Sequence, residues 1–357
     1  MNRSIVVKKL PDFSGREIVI SDIHGNLPLY RRLLDACRYH PGQDRLILLG
    51  DLIEKGPDSL GTLHYIMEQV RTENVWCLMG NCDFTLKNVL YSYRLEFLRR
   101  VVSGRASIVK EMAASLGLTL DEKTDMGEFC MALRQAYLPE LCFVNDLPHV
   151  LVGKERIYTH AAIMNETTFG SDFRETMATP FFMNTEARFS RPVVCGHLPV
   201  SEYCRKILDL TPVYDAARNI WSIDGGNVVK SWGQLNAVIF EGSQVQTVSV
   251  DDLPAGVALR DVDPGVQIPF CLTWNHGQVH VIEAGPVQSY VHSDFLNRDF
   301  WIDTAFLEGS SGCDYTNWQM PLARGDRVVV AARAGDKVYI KKSGRLGWAW
   351  AADISMV

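Results

Sequence analysis

The sequence predicts an α/β fold of two sheets flanked by helices, with a helical cap and a small all-β domain after it. Three observations predict it. Strands alternate with helices over the first 80 residues, strand-like runs return after about residue 141, and helical periodicity vanishes beyond about Asp251.

The first part repeats one grammar. Glu17 to Ile20 feeds the loop SDIHGN, after which Leu27, Tyr30, Leu33, Leu34 and Cys37 mark one face of a helix. Arg45 to Leu49 feeds GDLIEKGPDS, and Leu60, Leu63, Ile66, Met67 and Val70 mark the next helix; Val75 to Met79 then feeds GNCDF. Such βαβ units place ligand sites beyond the carboxyl ends of their strands, where all three polar loops lie. Phe84 to about Leu141 reads as mainly helical, with a polar break near Asp121 to Asp125 and no chemical motif, hence the cap. Strand-like runs at 156–159, 193–195, 220–223, 237–240 and 245–250 predict a second, more antiparallel sheet. The segment MPLARGDRVVVAARAGDKVYIKKSGRLGWAW resembles the strand-turn-strand pattern of a Src-homology-3-like barrel. The expected domains are therefore 1–252, with its cap at about 84–141, and 253–357.

Composition bounds the function. A chain of 357 residues suits two domains at roughly 150 residues each. With 47% hydrophobic and 22% charged residues it can bury a sizeable core. A net charge of -6 and the lack of a dense basic run give no support for general nucleic-acid or membrane binding. Nine irregularly spaced cysteines read as buried thiols of a reducing compartment. No signal-like or 18-residue apolar stretch is present, so the expectation is a cytoplasmic protein.

The strand ends carry Asp22, His24, Asp51, Asn81, His160 and His197. Carboxylate, imidazole and amide oxygen together suit divalent manganese, iron or zinc, and no cysteine among these donors points to structural zinc. One carboxylate can bridge two ions about 3.5 to 4 Å apart, which together hold a hydroxide and neutralise a phosphate.

The strings SDIHGN, GDLIEKGPDS, GNCD, YTHAA and CGHLPV, in this order, resemble the five signature blocks of the PPP-type, calcineurin-like metallophosphoesterases, over about residues 17 to 250. That family includes bacterial serine/threonine phosphatases and diadenosine tetraphosphatase-like enzymes. The resemblance implies a two-sheet metallophosphoesterase sandwich and a pair of metal ions, manganese first, with iron or zinc as alternatives. It implies that Asp22, His24 and Asp51 hold one ion, that Asp51, Asn81, His160 and His197 hold the other, and that Asp51 bridges them. The implied activity is hydrolysis of a phosphomonoester or phosphoprotein by a bridging hydroxide. The alternatives are a dinucleoside polyphosphate hydrolase, a phosphodiesterase, or a catalytically silent metal and phosphate-binding module.

Three positions depart from the family pattern. Cys82 stands where the family has a proton-donating His, and Glu54 and Lys55 stand where it has Asp and Arg. Lys55 can meet phosphate as a point charge but lacks the planar fork of arginine. Without a general acid worth roughly 100 to 10,000-fold, aryl or nucleotidyl leaving groups gain ground, and Glu54 is a candidate substitute acid. A phosphate-binding arginine is expected between His160 and His197; Arg174 is chosen over Arg188 and Arg191 for its setting, DFRETMATPFF. Asn81 also binds phosphate in this scheme.

Other residues have plainer readings. Cys82 is read as a partly buried thiol beside the metals rather than a nucleophile. His40 and His64 are surface or packing residues, and His276, His280 and His292 lack ligand spacing. Trp301, Tyr315, Trp318, Trp348 and Trp350 are expected in the core of the tail, with protein contact or oligomerisation as its remaining role.

Overall fold

Alternation along Glu17–Ile20 and Arg45–Leu48 decides which way the first sheet faces. Ile18, Ile20, Leu46 and Leu48 pack with the helices, whereas Val19 and Ile47 join a second core with Leu151, Tyr158 and Val194 from the other sheet. Side chains of period two thus serve two layers at once. The computed structural model describes residues 3–357, which form two compact units: residues up to Pro199 with Pro212–Asp251, and Val200–Thr211 with Asp252–Val357.

In the first unit, one sheet has the order Gln244–Val250, Leu235–Glu241, Glu17–Ile20, Arg45–Leu48, Val75–Cys77. The last three strands run parallel and are joined by helices Leu27–Ala36 and Ser59–Thr72. Both helices start where the sequence supplies a cap: Asn26 accepts from the Leu29 N–H at 3.3 Å and Asp58 from Gly61 at 2.9 Å. The hairpin 235–250, expected in the second sheet, instead extends this one, antiparallel to Glu17–Ile20. Its strand Leu235–Glu241 is buried from Leu235 through Phe240, which fits a strand paired on both edges.

The second sheet has the order Val7–Lys9, Val150–Val152, Ile157–Thr159, Val193–Cys195, Ile220–Ser222, Val213–Asp215. It mixes parallel and antiparallel pairs. The outermost strands, Val7–Lys9 and Val213–Asp215, are mostly exposed and carry no apolar alternation, so the sequence did not mark them. Helices Phe84–Leu90, Leu95–Gly104, Ile108–Ser115 and Met126–Asn145 build the cap, the last one kinked at Tyr137 ahead of Pro139.

Glu17 ties the two sheets together. Its carboxylate accepts from Arg45 at 3.1 Å on its own sheet, and from Arg156 and the Tyr158 hydroxyl on the other, both at 2.8 Å. Replacing Glu17 by Ala strands two arginines in the interior, so Glu17→Ala is expected to destabilise the fold by about 3 kcal/mol, with Glu17→Gln losing less. Urea unfolding of the three proteins measures this; a loss for the alanine variant below about 1 kcal/mol would show the cluster to be freely solvated.

The second unit is built of strands joined by turns and short 3-10 segments. Arg327–Ala334, Lys337–Lys342 and Arg345–Trp350 form an antiparallel meander, as the alternation and the Gly335 and Gly344 turns predict. Ala255–Ala258 and Ile354–Met356 extend it on one edge, and Leu208–Asp209 pairs with Arg345–Leu346 on the other. That last pairing is why residues 200–211, assigned from the sequence to the first domain, group with the tail. A three-stranded sheet, His280–Glu283, Gln288–Ser293 and Arg298–Asp303, adds a second core around Phe270, Val291 and Ile302. Tyr315 is buried there, but Trp301 is 49% exposed and Trp350 42%, against expectation. Each lies at an outward position of its strand, next to inward Ile302 and Ala349.

Candidate metal centre

Every ligand candidate leaves a strand at its carboxyl end. Asp22 and His24 follow Glu17–Ile20, Asp51 follows Arg45–Leu48, Asn81 follows Val75–Cys77, His160 follows Ile157–Thr159, and His197 follows Val193–Cys195. The turns are tight. Asp22, His24, Asp51, Glu54, Lys55 and His197 all adopt left-handed backbone, with φ between 49° and 77°. Such conformations cost about 1 kcal/mol or more each and persist only where neighbours over-determine them. Here the His24 N–H donates to the Asp51 carbonyl at 2.8 Å and the His197 N–H to Asp22 Oδ2 at 3.0 Å. Gly80 is required beside Asp51: a Cβ there would sit 2.2 Å from the Asp51 nitrogen.

The six side chains converge. Asp51 turns Oδ2 toward His24, 3.7 Å from Nε2, and Oδ1 toward His160, 3.5 Å from Nε2. Asp22 Oδ1 is 3.9 Å from His24 Nε2, Asn81 Oδ1 is 3.1 Å from His160 Nε2, and the His160 and His197 rings lie 5.0 Å apart. His160 Nδ1 faces the Leu49 carbonyl at 2.9 Å, which fixes the tautomer and leaves the Nε2 lone pair toward the cluster. Two trios, Asp22–Asp51–His160 and His24–Asp51–Cys82, each offer atoms within 4.8 Å of one another, and Asp51 belongs to both. The second trio brings Cys82 among the donors, whereas the sequence reading placed it beside the metals and outside the ligand set.

The electrostatics fit cations. Burial holds the imidazole of His24 down to about 3 and that of His197 down to about 4, so both offer lone pairs at neutral pH. Burial, with the charge of Asp51 beside it, pushes Asp22 up to about 7, while Oδ1 of Asp22 is buried without a hydrogen-bond partner. Burial opposes ionisation of Asp51 as well, yet the facing His160, His24 and Lys55 hold it below the usual carboxylate range. Two enclosed carboxylates, one of them with an unpartnered oxygen, and neutral imidazoles form a donor set suited to divalent ions.

A family model of calcineurin-like phosphoesterases matches residues 16–201, a span that contains all six. The chain belongs to the calcineurin-like phosphoesterase family. Among curated relatives, it is 46% identical over 54 residues to a serine/threonine-protein phosphatase 1 of Salmonella typhimurium, covering 15% of this chain and 25% of that one. It is 43% identical over 67 residues to a symmetrical bis(5'-nucleosyl)-tetraphosphatase of Pseudomonas syringae pv. tomato, covering 19% and 22%. The alignments thus span about a quarter of these relatives' length. Among solved structures, a cold-active protein-tyrosine phosphatase of a Shewanella species matches 68% of this chain and 83% of its own, at 11% identity and a TM-score of 0.43.

The remaining predicted residues of this calcineurin-like phosphoesterase sit as follows. Cys82 is buried and its N–H donates to Asp51 Oδ1 at 2.7 Å; burial first, then Asp51, pushes the thiol well above its ordinary pKa. Lys55 reaches the Cys82 side chain, and although burial opposes its charge, Cys82, Asp51 and Asp22 keep its pKa raised. Glu54 is fully buried, and its two oxygens accept from Ser107 Oγ at 2.7 Å and Arg105 Nη2 at 3.1 Å. Arg174 is exposed and paired with Asp172 at 2.7 Å, yet it lines the cavity of about 450 Å³ that opens beside Asn81 and Cys82. Arg191 instead pairs with Glu166 and the Gly153 carbonyl, off that cavity. His40 and His64 are exposed, and His280 and His292 pair with Asp294 on the surface.

Three residues escaped the sequence reading. Asp83 accepts from the Leu52 and Gly80 N–H groups at 2.9 and 2.8 Å, clamping the second block to the third. Asn227 donates to the Ile23 carbonyl at 2.8 Å and braces the first block. The signal for it was present: IDGGN follows strand Ile220–Ser222 as the other polar loops follow theirs. Arg105 had no signal, because it lies in the cap, at the end of a helix without a motif.

Proposed function

We propose that this chain is a dinuclear metal-dependent phosphoesterase acting on phosphomonoesters, with aryl esters or phosphoprotein as the favoured substrates. The observation that carries this is Asp51, whose two oxygens face two different imidazoles, as a bridging carboxylate requires. Asp22, His24 and Asp51 would hold one ion, and Asp51, Asn81, His160 and His197 the other, manganese first. When bound, such a pair lowers the pKa of water toward neutrality and neutralises charge on the reacting phosphate. The chain's residues do the rest: Lys55 and Asn81 meet the non-bridging oxygens, Arg174 guides the anion through the cavity, and Cys82 leaves the leaving group without a strong acid. That last feature favours leaving groups of low basicity.

The cavity supports a second reading, a dinucleoside polyphosphate hydrolase or phosphodiesterase. Phe84, Tyr93, Phe97 and Phe173 line it together with Arg3, Arg94, Arg105 and Arg174, a surface suited to a base and several phosphates. The strand meander 327–350 supports a Src-homology-3-like tail acting in protein contact or oligomerisation. The six free thiols of the first unit support a cytoplasmic setting.

The test is elemental analysis of the purified protein, then rates on an aryl phosphate, an aryl diester, phosphopeptides and diadenosine tetraphosphate. Two ions per chain and highest kcat/KM on the aryl monoester are expected, with activity lost to a chelator and regained with manganese. A diester or dinucleotide rate far above every monoester rate would replace the first reading with the second. No turnover with both ions bound would leave the silent binding module.

A further inference from the structure

Residues 105–107 are a short link between two cap helices, Leu95–Gly104 and Ile108–Ser115, and every one of them is fastened to the loop that follows Asp51. The Lys55 N–H donates to the Ala106 carbonyl at 3.0 Å. Ser107 donates through Oγ to Glu54 Oε1 at 2.7 Å, and its oxygen also caps the next helix by accepting from the Val109 N–H at 3.2 Å. Arg105 leaves the helix in extended backbone and reaches Glu54 Oε2 with both Nε, at 3.3 Å, and Nη2, at 3.1 Å. Glu54 is wholly enclosed, whereas the Arg105 side chain is 33% exposed, and the cavity it lines is the one that opens beside Asn81 and Cys82.

This arrangement does more than tie down a cap. Two bonds, from Lys55 to Ala106 and from Ser107 to Glu54, already fix the link, and a buried ion pair adds little net stability to such a contact. What the pair adds is direction: Glu54 grips one edge of the guanidinium and leaves Nη1 on the other. Glu54, Lys55 and Arg105 together carry one net positive charge beside the ligand cluster. Lys55 alone offers a point charge, while an arginine offers the planar fork that matches a phosphate.

We propose that Arg105 is a phosphate-gripping residue supplied by the helical cap, and that Glu54 is a positioning residue that aims it at the metal centre. The proposal rests on the phosphoesterase reading for the location of the phosphate, but the grip is measurable without turnover. Glu54 thereby acts on the anion through Arg105 rather than on the leaving group's proton. The cap, in turn, becomes part of the substrate site.

The test uses the full-length, manganese-loaded protein and inorganic phosphate as the probe. Calorimetry should show phosphate binding weakened roughly 10- to 100-fold in Arg105→Ala, since a charged hydrogen bond is lost. Arg105→Lys should recover part of that loss, and Glu54→Gln, which keeps the acceptor but not the charge, should fall between Arg105→Ala and the unaltered protein. On an aryl phosphate the arginine variants should raise KM more than they lower kcat. Urea midpoints identify any variant that fails to fold; if Arg105→Ala does, Arg105→Lys decides, with at least about threefold weaker phosphate binding expected. A folded variant that binds phosphate within about twofold of the original would overturn the proposal. Phosphate binding that depends on Arg105 in a protein that hydrolyses no ester would uphold the grip and remove the hydrolase reading.

Discussion

Asp51→Asn is expected to abolish hydrolysis, by at least about a thousandfold, while the fold survives. The amide keeps an oxygen for the Cys82 N–H, which donates to Asp51 Oδ1 at 2.7 Å, and it keeps the volume of the buried side chain. It loses the second anionic oxygen, the one turned to His24 at 3.7 Å. An amide NH2 has no lone pair for a cation, so under the dinuclear proposal one of the two ions would lose its shared ligand. Metal analysis should fall from two ions per chain toward one or none, with an unchanged circular dichroism spectrum. Retained turnover with two ions bound would remove Asp51 from the bridging position and the dinuclear scheme with it.

Asp83→Ala should be nearly as damaging for a different reason. Asp83 is fully buried and touches none of the ligand side chains by hydrogen bond; its oxygens instead hold the backbone of Leu52, Ile53 and Gly80. Alanine leaves those three N–H groups enclosed without an acceptor, at roughly 1 to 3 kcal/mol for each unsatisfied group before relaxation. The loop that carries Asp51 then loosens from the loop that carries Asn81. A displacement of about 1 Å is enough to cost about a hundredfold in rate. Stability, by urea unfolding, and kcat on an aryl phosphate should therefore fall together, by about 3 kcal/mol and about a hundredfold. Asp83→Asn retains one acceptor and should fall between; a stable Asp83→Ala variant of full activity would show that the blocks hold each other without the clamp.

Much of the first unit was legible because its buried strands announce themselves. Glu17–Ile20 and Arg45–Leu48 are buried at every position, and loops of Asp, His, Asn and Gly follow them. A polar loop after an apolar strand is hard to explain by packing, so its residues could be read as chemistry. The edge strands Val7–Lys9 and Val213–Asp215 were silent because solvent accepts any pattern. The hairpin 235–250 was assigned to the wrong sheet because alternation marks a strand but not its neighbour; only the register of Ala237 against Ile20 settles that. Arg105 and Asp83 were missed for a related reason: an arginine ending a cap helix and an Asp before Phe84 look like surface and cap residues until the contact partners are known.

The path of the chain between Pro199 and Pro212 has a practical consequence for anyone cutting the gene. Because Val200–Thr211 belongs with the tail, the backbone leaves the first unit just after His197, visits the second, and comes back before Asp224. A stop codon after Asp251 would delete the strand Arg345–Trp350 that Leu208–Asp209 pairs with and leave residues 200–211 without it. Residues 200–211 belong to the same unit as the tail, so shortening the protein cleanly means excising them with a replacement turn as well.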